Sequence, residues 1–289
     1  MALSARAPAK LNLGLHVLRR RPDGYHDVET VLHRIDWADR IAAAPADTLS
    51  MTCSDPTLPT DDSNLCLEAA HRLSTAFEVT AGARLHLDKR VPYGAGLGSG
   101  SSDAAATLRL LVRLWDLDPA PEDLHDIAAA IGADVPFFLM DAPAAYATGR
   151  GDVLTPLQGR ESSYRMRGAV LVVVPDLEIA TPWAYEQVTP DDQDRPDLPA
   201  LVQSNDWEQW RRNLANDFEP PIAEAYPAIR DLRRQLREGG ARYVSLSGSG
   251  SSVFGVFETR AKAEAVQDDL EDDSVQTHLV EPGRADAAG

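Results

Sequence analysis

The chain has 289 residues, 44% of them hydrophobic, and sets 28 Lys plus Arg against 45 Asp plus Glu, a formal charge of −17. That length and apolar content suffice for a sizeable core, more readily as two compact domains than as one. A surface so acidic repels phosphate backbones and anionic membranes, which argues against general nucleic-acid binding and requires any phosphate site to be local and backbone-built.

In chain order, the opening MALSARAPAKLNLGLHVLRRR holds only a short apolar stretch, broken by Asn12 and His16. It has no cleavage pattern of small residues, and no apolar run of membrane-spanning length occurs anywhere; the expectation is a cytoplasmic protein without a signal peptide. Cys53 and Cys66 lack metal-ligand spacing and read as reduced thiols. "ARLHLDKR" (83–90) alternates as a half-buried strand and runs into "PYGAGLGSGSSDAAATLRLL" (92–111). There Leu108, Leu111, Val112 and Trp115 share one helical face. The local order is thus strand, glycine loop, helix. "EDLHDIAAAI" (122–131) predicts a second helix stopped by Gly132, and Pro136 makes "GADVPFF" a turn leading out of it. "AVLVVVP" (169–175) predicts a buried strand, and "PDDQDRPDLP" (190–199) a polar loop. "YVSLS", a second glycine-serine loop and "VFGVF" predict strand, turn and strand, with a helix from about residue 260. A weak break near residue 158 divides the chain into domains 1–158 and 159–289.

The glycine loop matches neither common phosphate-binding spelling. No Gly-Lys pair exists, so there is no Walker A loop, and Gly94, Gly96, Gly98 and Gly100 do not space as G-x-G-x-x-G. The shared physics remains: glycines let backbone N–H groups approach closely, and the following helix offers its positive N-terminal end. Ser101, Ser102 and Asp103 stand where N-caps or oxygen ligands would stand. A glycine-serine linker or a simple N-cap is the competing reading, although a linker seldom joins a strand to a strongly amphipathic helix. Only Lys10, Lys89 and Lys262 are lysines, in a chain that otherwise uses arginine, which asks whether each supplies something guanidinium does not.

"PYGAGLGSGSSDAA" resembles the second signature of the GHMP kinases, small-molecule kinases that wrap ATP phosphates in this loop. "PAKLNLGLHVLRRRPDGYHDVET" (8–30) and "SLSGSGSSVFG" (245–255) resemble the first and third signatures, so the resemblance spans essentially the whole chain. It implies an α+β fold of two domains: a ribosomal-protein-S5-like N-terminal domain and a ferredoxin-like C-terminal domain, with the active site in the cleft between them. It implies ATP as co-substrate, with Mg2+ expected on its phosphates. "PAKLNL" joined to "RRPDGYH" further implies that the acceptor is the 2-hydroxyl of 4-diphosphocytidyl-2-C-methylerythritol, on the non-mevalonate route to isoprenoid precursors.

By the same resemblance, Asp134 is the general base and Lys10 the cation that pairs with it and neutralises charge on the transferred group. Asn64, Lys89, Gly94, Gly96, Gly98, Ser99, Gly100, Ser101 and Ser102 are assigned to ATP, and Ser102 is the candidate metal ligand. Asn12, Tyr25, His26, Thr181, Tyr185, Gly248, Gly250 and Ser251 are assigned to the acceptor. Tyr25 would stack on cytosine, and neutral His26, with one donor and one acceptor, would read its edge. Trp183 rivals Tyr185 for a stacking role. The loop departs from the usual spelling at Ser99 and Tyr93, as does Asp152 in "ATGRGDVL", which bears on local geometry. Acidity and lysine poverty resemble salt-adapted proteins. The alternatives are another GHMP enzyme, such as mevalonate or homoserine kinase, or a non-catalytic nucleotide binder; the latter is expected to lack Lys10 or Asp134. No nucleic-acid or membrane partner is expected, and composition leaves oligomeric state open, a homodimer included.

Overall fold

The computed structural model describes residues 2–159, 163–270 and 274–280. Two long antiparallel strands, β1 (Leu3–Arg20) and β2 (His26–Ala46), form the spine of the first sheet. There follow β3 (Ser50–Cys53), α1 (Leu65–Ala76), β4 (Gly82–Asp88), α2 (Ser99–Leu114), α3 (Pro121–Ile131), α4 (Val135–Leu139), β5 (Ala144–Thr148) and β6 (Val153–Pro156). β1 covers one edge of β2 along its length; on the other edge β4 takes Arg40–Ala46 and β5 takes Thr30–His33. The second sheet begins with β7 (Ala169–Pro175), followed by α5 (Thr181–Glu186), α6 (Leu198–Ser204), α7 (Trp207–Asn213), α8 (Glu219–Ala225) and α9 (Pro227–Glu238). It is completed by β8 (Tyr243–Leu246), β9 (Val253–Phe257), α10 (Arg260–Leu270) and β10 (Val275–Val280), in the antiparallel order β10-β7-β9-β8. The architecture is α+β in two halves.

Three apolar layers hold it together. Leu67, Leu73, Leu108 and Leu111 of α1 and α2 pack on Ile41 and Leu85 of the first sheet. Leu11, Leu13 and Val31 meet Val170, Val172 and Phe254 between the two sheets, and Ile229, Leu236 and Val266 close the far face of the second. β1 therefore reads as a nearly continuous buried run rather than an alternating one, because both its faces are covered.

Two local readings are corrected by the structure. "GADVPFF" is not a turn alone: Val135–Leu139 is a short helix, which admits Pro136 because a first-turn residue needs no intrahelical N–H bond. Ser101, Ser102 and Asp103 are not N-caps, since α2 already starts at Ser99 behind Gly98, whose φ of 67° is left-handed. No helix among the described residues is long and apolar enough to cross a membrane.

Candidate active site

The glycine loop docks on the edge of β1 through Lys10 N–H to Leu97 O, 2.9 Å. A bulge between Pro8 and Lys10 shifts the β1–β2 register there, and bulges re-aim side chains. The Lys10 ammonium points into the loop, donating to Gly96 O at 2.8 Å and to Asn12 Oδ1 at 2.6 Å. It lies 3.7 Å from Asp134 Oδ2. Burial pushes Lys10 below the usual lysine range, against the pull of Asp134. Asp134 occupies the N-cap of α4 yet makes no capping bond, so its carboxylate, 31% exposed, is left for the cleft. Phe137 and Phe138 are buried and anchor the short helix that presents it.

The second glycine-serine loop, residues 247–252, closes this corner from the second half of the chain. Ser247 Oγ donates to Gly96 O at 2.8 Å, and Ser252 N–H to Ala95 O at 3.1 Å. The approach is so close that a Cβ on Gly96 would lie 2.1 Å from Ser247 O, which only glycine permits at its φ of 78°. Asn216, buried, donates to Leu246 O and Gly248 O and holds the loop from behind. Thr30 Oγ1 accepts from Asn12 Nδ2 at 3.0 Å and fixes which way that amide faces. Thr30, Asn216 and Ser247 were not singled out from sequence. Ser247 lies within the third signature, whereas nothing in the spelling around Thr30 or Asn216 marks them.

Behind Gly98 the first turn of α2 leaves the amides of Ser99, Gly100 and Ser101 without intrahelical acceptors, and no acidic residue lies in that turn. Free amides without a nearby carboxylate give this helix start the electrostatics that attract an anion. Ser99 is helical and gives its hydroxyl to Pro92 O, so a β-carbon is tolerated there. A cavity of about 800 Å³ opens beside the loop, bounded by Leu58, Pro59, Tyr93, Gly94 and Ser251. Asn64 sits next to it as the N-cap of α1, accepting from Cys66 N–H and donating to Pro59 O.

Lys89 is placed differently from a free nucleotide contact: its ammonium is buried between Asp39 (2.6 Å) and Asp103 (2.8 Å). Asp39 also accepts from the N–H groups of Arg90 and Val91, so this triad ties the strand entering the loop to the helix leaving it. Burial pushes the Asp103 carboxyl up to about 7, Lys89 opposing, and its Oδ1 has no hydrogen-bond partner among the described residues. The Lys89 ammonium is lowered by burial but raised more by its two carboxylates. Lys262 pairs with Glu258 on the surface, away from the cleft.

On the other flank of Lys10, His26 stacks on Tyr185 with ring centroids 4.8 Å apart, and Phe218 meets the Tyr185 ring edge-on. Trp183 instead packs against Tyr226. His26 is lowered by burial and by Arg20, which favours the neutral ring at pH 7. Tyr185 is pushed up to about 12 by burial and then by Asp134, a sign that this pocket adjoins the carboxylate. Tyr25 is 61% exposed, with the Arg150 guanidinium 5.4 Å from its ring centre and Asp152 gripping that guanidinium. Thr181 Oγ1 and Ser249 Oγ, both from the second half of the chain, lie 3.2 Å apart.

For a divalent cation, the described residues offer no group of three His, Cys, Asp or Glu side chains. Ser102 Oγ is buried and has no hydrogen-bond partner among the described residues. That donor set fits an ion carried by nucleotide phosphates rather than a resident metal.

Unpaired amides at a helix start, a Lys–Asp pair beside them and an aromatic pocket beyond suit a small-molecule kinase. Family models for the GHMP kinases N terminal domain and the GHMP kinases C terminal match residues 64–149 and 198–275. A relative from Salinibacter ruber named 4-diphosphocytidyl-2-C-methyl-D-erythritol kinase is 65% identical, covering 97% of this chain and 99% of the relative. One of the same name from Chlorobium phaeobacteroides is 46% identical, with 91% of each covered. The crystal structure of a 4-(cytidine 5'-diphospho)-2C-methyl-D-erythritol kinase superposes with a TM-score of 0.81 at 33% identity, over 97% of this chain and 99% of that one. A homoserine kinase from Cytophaga hutchinsonii, TM-score 0.70 at 18% identity with 96% and 94% covered, shares the fold. The chain belongs to the 4-diphosphocytidyl-2-C-methyl-D-erythritol kinase family of the GHMP kinases.

Proposed function

We propose that this chain transfers the γ-phosphoryl group of ATP to the 2-hydroxyl of 4-diphosphocytidyl-2-C-methyl-D-erythritol, and that residues 1–158 and 159–289 are the two domains flanking the cleft. The observation that carries the reading is the Lys10–Asp134 pair, 3.7 Å apart, set between the glycine loop and the His26–Tyr185 pocket. In this assignment Asp134 takes the hydroxyl proton as the oxygen attacks phosphorus, and ADP is the leaving group. Lys10, fixed by Gly96 O and Asn12, neutralises charge on the group in transit without having to reorganise. The amides of Ser99, Gly100 and Ser101, with Gly94, Gly96 and Gly98, cradle the phosphates. Mg2+ carried by ATP would supply charge neutralisation on the phosphates, and Ser102 is the residue that would hold it.

Asn64 and the Lys89 segment border the nucleoside. Cytosine sits against Tyr25 and the Tyr185–His26 stack; Asn12, Thr181, Gly248, Gly250 and Ser251 line the methylerythritol end. Neutral His26 can both give and accept a hydrogen bond, which suits a pyrimidine edge. The free thiols of Cys53 and buried Cys66 fit a reducing, cytoplasmic setting. The test is incubation with labelled ATP and a panel of 4-diphosphocytidyl-2-C-methylerythritol, mevalonate and homoserine. Label is expected on the first alone; transfer to either of the others would overturn the assignment.

A further inference from the structure

The helix that presents Asp134 is very short. α4 has five residues, Val135–Leu139, and Asp134 stands at its N-terminal end without a side-chain capping bond. Where the carboxylate sits relative to Lys10, 3.7 Å away, therefore depends on what holds α4 as a body. At its other end the last carbonyls of a helix have no intrahelical donor. Two guanidiniums supply donors there. Arg34 of β2 reaches both Phe137 O and Met140 O through Nη2, at 2.6 Å each, and its guanidinium lies 5.2 Å from the centre of the Phe137 ring. Arg109 of α2 donates to Leu139 O at 2.6 Å and to Met140 O at 3.4 Å. The Arg34 backbone joins in, its N–H donating to Pro143 O at 2.8 Å where the chain leaves α4 for β5.

Arg34 is also the residue directly opposite Lys10 in the β1–β2 ladder. Directly opposed residues of an antiparallel pair share one face of the sheet. One cross-strand pair thus carries the ammonium of the Lys10–Asp134 pair and a grip on the helix that bears its carboxylate. Burial, then Arg109, lowers Arg34 to about 10, Asp141 opposing, so both guanidiniums stay charged at neutral pH. Two like charges brought together repel, and what favours them here is the negative, carbonyl end of α4. A five-residue helix is only about 7.5 Å long, so a displacement at its carbonyl end reaches Asp134 with little loss.

We propose that, on the reading of Asp134 as the base, Arg34 and Arg109 are positioning residues for the transfer: their grip on the carbonyl end of α4 sets where the Asp134 carboxylate stands relative to Lys10 and the acceptor hydroxyl. Arginine suits this task, because a planar guanidinium aims its N–H groups in fixed directions whereas an ammonium on a flexible stem swings.

The test compares Arg34→Met, Arg34→Lys and Arg109→Met with Asp134→Asn, and adds each methionine variant to Asp134→Asn. Steady-state transfer of labelled phosphate from ATP to 4-diphosphocytidyl-2-C-methylerythritol is measured for each, with a thermal melt. Arg34→Met is expected to lower kcat by about 10–100-fold, the scale of an ångström-sized misplacement, with KM for both substrates within about threefold of the parent. Arg109→Met should lower it by about tenfold. Arg34→Lys keeps a cation and a donor, and should recover at least about threefold of the loss. In the Asp134→Asn background either methionine variant should cost less than about threefold more, since the group it positions is gone; a merely structural role would repeat its full factor there. A folded Arg34→Met with kcat within about threefold of the parent, or with an undiminished factor in the Asp134→Asn background, would overturn the proposal. Should Arg34→Met not fold, Arg109→Met, at a partly exposed position, decides by the same two criteria. Parental kcat in Asp134→Asn would overturn the base and the clamp together, whereas a fall there with parental kcat in Arg34→Met overturns the clamp alone.

Discussion

Replacing Lys10 by methionine keeps the length of the side chain and deletes only the ammonium. Two effects on stability then oppose each other. Asn12 Oδ1 and Gly96 O both lose the ammonium and are left to share the single proton of Ser247 Oγ, 3.4 and 2.8 Å away, at a cost of up to about 1–3 kcal/mol for the acceptor that goes without. Against this, the variant no longer buries a charge, and burial is the larger influence on Lys10. The net change is expected to stay within about 2 kcal/mol, or a melting shift below roughly 8 °C in a chain of this size. Turnover should behave otherwise. Loss of a preorganised positive group at the transferring phosphoryl costs about 10²–10³ in kcat. ADP release at saturating ATP and acceptor, paired with a thermal melt, reads both quantities. Turnover within about threefold of the parent in a folded variant would refute the catalytic assignment. Collapse of the fold with Lys10→Met would show instead that the pair is chiefly structural.

Asp134→Asn removes the proton acceptor without removing bulk, and kcat should fall by about 10²–10⁴ with little change in melting temperature; a near-parental kcat would reassign the base. Gly96→Ala must place a Cβ 2.1 Å from Ser247 O at a left-handed φ, so denaturant unfolding should show a loss above about 2 kcal/mol, with kcat reduced as the two loops part. Asp103 has its folded-state pKa raised to about 7 from 3.8, so it binds more protons folded than unfolded. That contribution to stability is full below pH 3.8 and is lost as pH rises towards 7, by at most about 4 kcal/mol. Asp103→Asn should therefore gain on the parent between pH 4 and 7 in urea melts; a constant difference across that range would show that the triad does not titrate there.

Much of the site was legible before any fold was known, because its chemistry is spelled by short contiguous runs. The run from Gly94 to Ser102 read as a backbone cradle at a helix start in preference to a linker, since glycine spacing and helical periodicity are local properties of the chain. Lys10, Asn12, Tyr25 and His26 stood out through their neighbours in "PAKLNL" and "PDGYH". The strands 83–90 and 169–175 and the helix ending at Gly132 were equally plain, their side-chain periods being set by backbone geometry alone.

What sequence could not decide is whatever depends on two distant segments meeting. Lys89 looked available for a nucleotide, and only the fold brings Asp39 and Asp103 to it from positions far away in the chain. Tyr185 rather than Trp183 stacks on His26 because α5 turns that face inward, which no local pattern encodes. Ser247 and Asn216 become part of the site only when the second half of the chain lays its loop against Gly96. The chain by itself thus determined the local elements and the residue types of the chemistry, since propensity, spacing and charge act along the backbone. The tertiary structure alone decided which charges are paired and which rings meet, because burial and Coulomb energy depend on distances through space.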